Sequence, residues 1–169
     1  YITESRRENG FFPNFSIAQN MAVSQSLKRG GYKGAMGLFR EGDERKTAEE
    51  QRKLLALKCH SVDQNITELS GGNQQKVLIS KWLCCSPEVI IFDEPTRGID
   101  VGAKAEIYKV MRQLADDGKV ILMVSSELPE IIAVCDRIAV FCEGRLTQIL
   151  TNRDDMSEEE IMVWALPQE

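Results

Sequence analysis

Apolar residues in the second half of the chain follow two alternating patterns. Residues 70–86 and 107–117 repeat their apolar positions at helical spacing, which predicts two helices. Residues 88–95 and 119–126 are short apolar runs, typical of strands that are buried on both faces of a parallel sheet. Because helices and strands alternate from residue 69 onward, the pattern predicts the α/β fold class.

Patterns elsewhere in the chain predict further helices and one hairpin. The helices are expected at about 17–27, 43–58, 128–135 and 158–165, the last beginning at a capping box on Ser157. A hairpin is expected over 137–150, turning at Glu143 and Gly144. The glycine-rich stretch 28–37 should break the chain between the first two helices. The change of pattern near residue 69 divides the chain into 1–68 and 69–169.

The composition mainly argues against certain kinds of binding site and cross-link. With 43% apolar and 28% charged residues, the chain resembles ordinary globular protein. A net charge of -5 argues against binding nucleic acid or anionic lipid through clustered Lys and Arg. Five cysteines without a C-x-x-C pair, and a single histidine, argue against a disulfide framework or a zinc site. The first residue is tyrosine rather than methionine, so we expect a piece of a longer protein.

Ser70, Gly71 and Gly72 stand at the predicted start of a helix. Glycines leave the backbone N–H groups of a helix N-terminus uncovered, and these groups attract anions together with the helix dipole. The serine hydroxyl adds one more donor. Taken alone, however, the three residues are better explained as an ordinary capped helix with a flexible entry.

Asp93 and Glu94 follow the first apolar run directly. Two carboxylates at the carboxyl end of a parallel strand lie where open α/β sheets bind ligands. One carboxylate can hold Mg²⁺ through water, and its neighbour can orient or deprotonate an attacking water. Taken alone, this pair also fits a solvated turn.

The order of these motifs is more specific than any one of them. Leu-Ser-Gly-Gly opens a helix, an apolar strand leads into Asp-Glu-Pro-Thr, and a second strand ends in Ser-Ser. In this order, residues 69–150 resemble the second half of an ATP-binding cassette (ABC) ATPase. Residues 93–114 and 124–144 are similar in particular to the C-terminal cassette of bacterial sugar importers, and residues 1–21 resemble the same family.

The resemblance implies an incomplete P-loop NTPase-like core with an α-helical subdomain and a C-terminal hairpin. It implies a signature motif whose serine and glycine amides grip the γ-phosphate of ATP held by the opposite cassette. That motif would run from Leu69 to Gln74, and its nucleotide-binding residues would be Leu69, Ser70, Gly71, Gly72 and Gln74.

The resemblance also implies the remaining site residues and the cofactors, ATP and Mg²⁺. Asp93 would serve Mg²⁺, and Glu94 would handle the attacking water. Asp100 would end a loop that crosses the dimer seam, and Glu4 lies near the segment that senses the γ-phosphate in that family.

Two departures from the family pattern affect the site. The phosphate loop G-x-x-x-x-G-K-[ST] does not occur in the chain, so the chain alone is expected to bind ATP poorly. Ser126 stands where most active cassettes carry a histidine that contacts the γ-phosphate. Because losing one preorganised donor typically costs about 10²–10³ in rate, the site on Asp93 and Glu94 is expected to be slow.

The partners implied by the resemblance are the N-terminal cassette of the same ATPase or a second copy, and membrane permease subunits. A periplasmic sugar-binding protein would take part indirectly, and no nucleic acid would be bound. The expected location is the cytoplasmic face of the inner membrane. The permease would dock on the helical subdomain, about 11–69, where the aromatic segment 10–21 fits a docking surface and plain core packing equally well.

Three functions stay open at this point. The chain is part of a sugar-import ATPase, or a nucleotide-responsive docking module that hydrolyses nothing, or a cassette ATPase of DNA repair or translation. Glu94 favours the first function and Ser126 the second, while the acidic balance argues against the third. Since the first strands of a cassette are missing from the chain, apolar sheet surface is expected to be exposed.

Overall fold

The computed structural model describes residues 1–28 and 41–167. The predicted break at 28–37 therefore lies, beyond its first residue, outside the described residues. The chain divides into two compact units, Tyr1–Val124 and Ser125–Glu169. The sequence boundary at residue 69 falls inside the first unit, and as a division into functional subdomains it stays a prediction.

In the described part of the first unit there are four α-helices and two strands, each near a place that the sequence predicted. A π-helix at Arg6–Gly10 and a 3-10 helix at Ile66–Glu68 are additional. The main elements are α1 (Ile17–Lys28), α2 (Glu41–Leu54), α3 (Gly71–Leu83), β1 (Val89–Asp93), α4 (Val101–Asp116) and β2 (Val120–Val124).

Helix α2 ends four residues before its predicted end at residue 58. The chain leaves the helix at Ala56, whose φ of 46° lies in the left-handed region. Leu55 and Leu57 then face the core from this turn, with 4% and 5% of their surfaces exposed. Of the three leucines expected to form the apolar end of this helix, these two pack from a turn instead, and Leu54 is exposed.

Strands β1 and β2 run parallel, in a register that pairs Val89 with Val120 and Asp93 with Val124. Ile2 pairs with β1 on its other side, donating from its N–H to the Ile91 carbonyl at 2.8 Å. The Asp93 N–H donates back to the Ile2 carbonyl at 3.0 Å. Strand β1 is thus hydrogen-bonded along both edges, and the residues after Ile2 run beside its carboxyl end.

The sequence predicted that these strands are buried on both faces, and this prediction is wrong. Phe92 and Ile90 are buried, but the residues that alternate with them are exposed. Helix α4 contacts β2, and the opposite face of the sheet carries exposed apolar side chains. They are Val89, Ile91, Val120, Leu122 and Val124. This exposure agrees with the expectation of uncovered sheet surface.

Helix α3 is the central element of the first unit, packing against α1 and α4. Its residues from Gly72 to Lys81 are almost all buried, including several polar ones. Helix α4 buries the stripe of Ile107, Met111 and Leu114, as its periodicity predicted. The start of α3 therefore packs directly on a neighbouring helix.

The second unit matches its predicted elements closely. Strands β3 and β4 pair antiparallel, and Glu143 and Gly144 form their turn with φ of 48° and 77°. Ser157 and Glu160 make the expected capping box. The elements are α5 (Leu128–Val134), β3 (Arg137–Cys142), β4 (Arg145–Thr151) and α6 (Glu158–Ala165). Its core is formed by Ile138, Val140, Met156 and Ile161.

Residues 1–28 and 41–167 contain neither a candidate membrane span nor a disulfide. Among the described residues, no helix combines the length and the apolar character that crossing a membrane requires. All five cysteines are free thiols.

Candidate functional site

Helix α3 begins directly after Ser70, as predicted, but without the side-chain cap expected of an ordinary capped helix. Ser70 is the exposed N-cap residue, and its side chain makes no capping hydrogen bond to the helix. The first helical bond runs from the Gln74 N–H to the Ser70 carbonyl at 2.9 Å. Because the first N–H groups of a helix have no intrahelical acceptor, this end can donate to an anion.

The Ser70 hydroxyl instead contacts Asn73, which lies inside the predicted signature motif but was given no role of its own there. The Asn73 Nδ2 donates to Ser70 Oγ at 2.9 Å, and the Asn73 Oδ1 accepts from the Lys58 N–H at 2.9 Å. A serine followed three residues later by an amide at a helix start is the available sequence signal. A capping box needs Glu or Gln at that position, however, so an asparagine there predicts neither the box nor this side-chain pair.

Gln74, predicted to bind the nucleotide, has its amide inside the protein. Its side chain is buried and donates to the carbonyls of Leu69 at 3.1 Å and Ile66 at 3.3 Å. Leu69 is itself buried. The amide thus fixes the chain that leads into Ser70, and any effect of Gln74 on a ligand at α3 acts through this loop.

Gly72 lies at the point of closest approach between α3 and α4. A Cβ atom added there would stand 2.5 Å from the Cβ of Ala103 and 3.7 Å from Cγ2 of Ile99. Since the Ala103 Cβ is attached directly to the backbone, no side-chain rotation relieves the clash. The glycine is therefore required by helix packing, in addition to any role in binding an anion.

Alanine at Gly72 should consequently destabilise the fold, by about 1–3 kcal/mol for overpacking of this kind. Gly102, also in a first helical turn, is the matched control, because an added Cβ would meet only Asp100 Oδ1 at 3.5 Å. Gly102→Ala should be neutral or stabilising by up to about 1 kcal/mol. Urea unfolding of both variants measures the difference, and equal stabilities would contradict the packing argument.

Behind the motif, Lys76 is buried with its charge paired. Its Nζ lies 2.8 Å from a Glu106 carboxylate oxygen on α4 and 3.0 Å from the Ala56 carbonyl. Lys58 contacts the other Glu106 oxygen at 3.2 Å. The hydrogen bonds from Lys76 and then Lys58 lower the pKa of the Glu106 carboxyl. This cluster joins α3, α4 and the loop after α2.

The acidic pair lies at the carboxyl end of β1, as predicted. Glu94 has a φ of 47°, and its N–H donates to the Val124 carbonyl at 2.9 Å. A glutamate in the left-handed region is uncommon, and such backbone strain concentrates at functional sites. The hydrogen bond to β2 fixes the strained residue at the sheet edge.

Asp93 lies beside Tyr1, whose hydroxyl donates to its carboxylate. That hydrogen bond, ahead of desolvation, raises the pKa of the Tyr1 phenol. Within residues 1–28 and 41–167, His, Cys, Asp and Glu nowhere gather in threes that could hold a metal ion. Mg²⁺ commonly binds through one or two carboxylates, with phosphate and water as its other ligands, and Asp93 fits that mode.

Two loops meet near the acidic pair. Glu4, two residues after the residue that pairs with β1, forms an ion pair with Arg97. Asp100 is the N-cap of α4, and its side chain accepts from the Ala103 N–H at 3.0 Å. The structure therefore joins Glu4 to the loop after Asp93 and Glu94, while Asp100 has a structural partner of its own.

Ser126 belongs to the second unit and is exposed. The neighbouring Ser125 Oγ donates to the buried Glu130 carboxylate at 3.1 Å and accepts from the Glu127 N–H at 3.0 Å. Ser125 thus stabilises the start of α5, whereas the side chain of Ser126, just after β2, is exposed.

Comparisons with known proteins agree with this geometry. The sequence model of the family described as "ABC transporter" matches residues 2–97. The chain is 92% identical, over all of its length, to the D-allose import ATP-binding protein AlsA of Escherichia coli (strain K12), and it covers 33% of that protein. It is 48% identical over 96% of its length to the ribose import ATP-binding protein RbsA 2 of Agrobacterium fabrum, covering 31% of it.

The chain thus spans about a third of the length of the curated relatives it matches. A solved structure with the same fold is titled "Dimeric structure of a post-hydrolysis state of the ATP-binding cassette MJ0796 bound to ADP and Pi". It superposes with a TM-score of 0.71 at 25% identity, covering 90% of this chain and 62% of that one. An inward-facing metal-chelate type ABC transporter, at 18% identity and a TM-score of 0.73, shows the same fold. The predicted α/β cassette fold and the predicted resemblance to sugar importers are confirmed.

Proposed function

The chain belongs to the ABC transporter family, and from that premise we propose that it is the C-terminal part of the ATP-hydrolysing subunit of a monosaccharide importer. The observation that carries the proposal is the exposed Ser70 at an uncapped helix start, packed against α4 at Gly72. In this function, the start of α3 binds the γ-phosphate of ATP that is held by another cassette.

Donors at the start of α3 suit a phosphate in two ways. The N–H groups of the first turn and the Ser70 hydroxyl are hydrogen-bond donors, and the helix dipole adds partial positive charge. The close packing of Gly72 on Ala103 holds these donors in place before the ligand arrives. Preorganised donors stabilise developing charge without reorganisation during the reaction.

At the sheet edge, Asp93 is proposed to hold Mg²⁺ and Glu94 to orient the attacking water. Mg²⁺ held there by Asp93 would neutralise the charge that develops on the phosphates. Glu94 accepts the proton of the water as its oxygen attacks the γ-phosphorus and the bond to ADP breaks. Ser126 cannot supply the cationic contact of a histidine, so this second site is proposed to be slow.

The proposed partners follow from the relatives. Those relatives are named for the import of D-allose and ribose, which supports a monosaccharide as cargo and a membrane permease as partner. The dimeric cassette of similar fold supports a second cassette, either N-terminal in the same protein or a second copy. We propose a peripheral position at the cytoplasmic face of the membrane, with the permease contacting the subdomain that includes α1 and α2.

A second candidate is a docking module that responds to nucleotide without hydrolysing it, and Ser126 is the observation that favours it. Glu94→Gln in the intact transporter separates the two functions. Because this site is proposed to be slow, the rate is measured with the faster partner site inactivated; if Glu94 handles water, the ATP hydrolysis that remains should fall by at least about tenfold when its base is lost. A docking module should keep its turnover. Glu88→Gln, an exposed position at the opposite end of β1, is the matched control and should leave turnover unchanged.

A further inference from the structure

The Asn73 side chain is held at both ends of its amide. Its Oδ1 accepts from the backbone N–H of Lys58, and its Nδ2 donates to Ser70 Oγ, both at 2.9 Å. A backbone N–H can only donate, so the oxygen of the amide must face Lys58 and the nitrogen must face Ser70. The direction of the hydrogen bond to the serine is therefore fixed by the loop after α2.

This direction determines what the serine hydroxyl can do. A hydroxyl has one proton to donate and two lone pairs that accept. Because Asn73 donates to Ser70 Oγ, it occupies a lone pair and leaves the proton available. Ser70 is exposed and makes no capping bond to α3, so this proton is not used inside the helix start.

We propose that Asn73 is a positioning residue that keeps the Ser70 hydroxyl in the donating orientation for an incoming phosphate. This inference rests on the proposed function of the α3 start as a γ-phosphate site. Asn73 acts through Ser70 and need not touch the phosphate itself. The oriented hydroxyl would meet the phosphate without first breaking a hydrogen bond in which it is the donor.

The alternative is that Asn73 merely fastens the loop after α2 to α3. That loop has a second attachment, since Lys58 and Lys76 both contact Glu106 and Lys76 also reaches the Ala56 carbonyl. A purely structural Asn73 should therefore affect stability, and its effect on ATP hydrolysis should not depend on whether position 70 carries a hydroxyl.

A double-mutant cycle in the intact protein distinguishes these roles. Ser70→Ala should lower kcat/KM for ATP by about 10²-fold, and Asn73→Ala by about tenfold, mainly through kcat. The double variant should be no worse than Ser70→Ala, because without the hydroxyl there is nothing to orient. The proposal would be overturned if the loss in kcat/KM of the double variant were the product of the two single losses. An unchanged rate in Asn73→Ala would also overturn it. If Ser70→Ala itself had no effect, the proposed function would fail, and this inference with it.

Asn73→Asp keeps the test decisive if the alanine variant folds poorly. Aspartate has the same shape and still accepts from the Lys58 N–H, so unfolding by urea should be unchanged. Its carboxylate can only accept, however, and would draw the Ser70 proton away from the phosphate. We expect kcat to fall by at least about tenfold at unchanged stability. A full rate in Asn73→Asp would overturn the proposal.

Discussion

Arginine in place of Ser70 is expected to reduce ATP hydrolysis by the intact protein by about 100-fold or more, the loss typical of removing one preorganised donor. The variant removes the hydroxyl, and its long side chain covers the N–H groups at the start of α3. Because Ser70 is exposed and makes no capping hydrogen bond, the fold should tolerate the change. The measurement is the steady-state ATPase rate of purified, folded protein.

A control for this variant must introduce the same side chain away from α3. Asp154, exposed in the turn before α6, is suitable. Asp154→Arg should leave the rate within about twofold, as expected for surface changes away from packed or paired groups. Wild-type turnover in folded Ser70→Arg protein would exclude a phosphate contact at the start of α3.

Removal of the Glu106 carboxylate is expected to be the most destabilising of these substitutions. The Lys76 side chain is 3% exposed, and Glu106→Ala would leave its ammonium with the Ala56 carbonyl but without a counter-charge. Removing one partner of a buried pair leaves an uncompensated charge, and we expect a loss of about 2–4 kcal/mol. Urea unfolding at neutral pH measures it.

The opposite truncation, Lys76→Met, should cost less, about 1 kcal/mol, because it removes the buried charge itself. Glu106 is 41% exposed and keeps Lys58 and water as partners. The double variant Lys76→Met/Glu106→Ala should therefore recover most of the stability lost in Glu106→Ala. Equal losses in the two single variants would contradict this account of the cluster.

The same cluster predicts a dependence on pH. The pKa of the Glu106 carboxyl is lowered from 4.5 by its two lysine partners, so the folded protein holds the ionised form more strongly than the unfolded chain does. This contribution is fully present above about pH 4.5 and is lost as the pH falls through the lowered pKa. Glu106→Ala should lack this part of the acid destabilisation, which unfolding curves at a series of pH values would record.

Local patterns predicted the elements of this fold well. Helical periodicity located α3 and α4, and the capping box at Ser157 and the turn at Glu143 and Gly144 were confirmed. These features depend on residues within a few positions of one another, where steric and hydrogen-bonding preferences act directly. The order of the motifs also predicted the family.

Features that depend on distant residues were not predictable in the same way. Lys76 lies in an amphipathic helix, where a lysine is expected at the surface. It is buried because Glu106, thirty residues further on, supplies its counter-charge. In the same way, Gly72 appeared only as part of an anion-binding motif, and the need for a glycine against Ala103 became visible once α3 and α4 were packed together.

The sheet shows a third kind of limit. Continuous apolar runs predicted strands buried on both faces, yet one face of β1 and β2 is exposed. An apolar sequence shows that a strand can be buried. It does not show whether the helices or strands that would cover it lie in the same stretch of chain. The roles proposed for Asp93, Glu94 and Ser126 likewise stay predictions until they are measured.

The central claim is that this chain donates hydrogen bonds from the start of α3 to ATP held by another cassette. Its own sequence has no phosphate loop with which to bind ATP. Calorimetric titration of the chain with MgATP tests it most directly. Since its sequence contains no G-x-x-x-x-G-K-[ST] loop, we predict no binding tighter than about 1 mM, which corresponds to about -4 kcal/mol. Micromolar binding would contradict the claim, because another segment of this chain would then have to hold the phosphates.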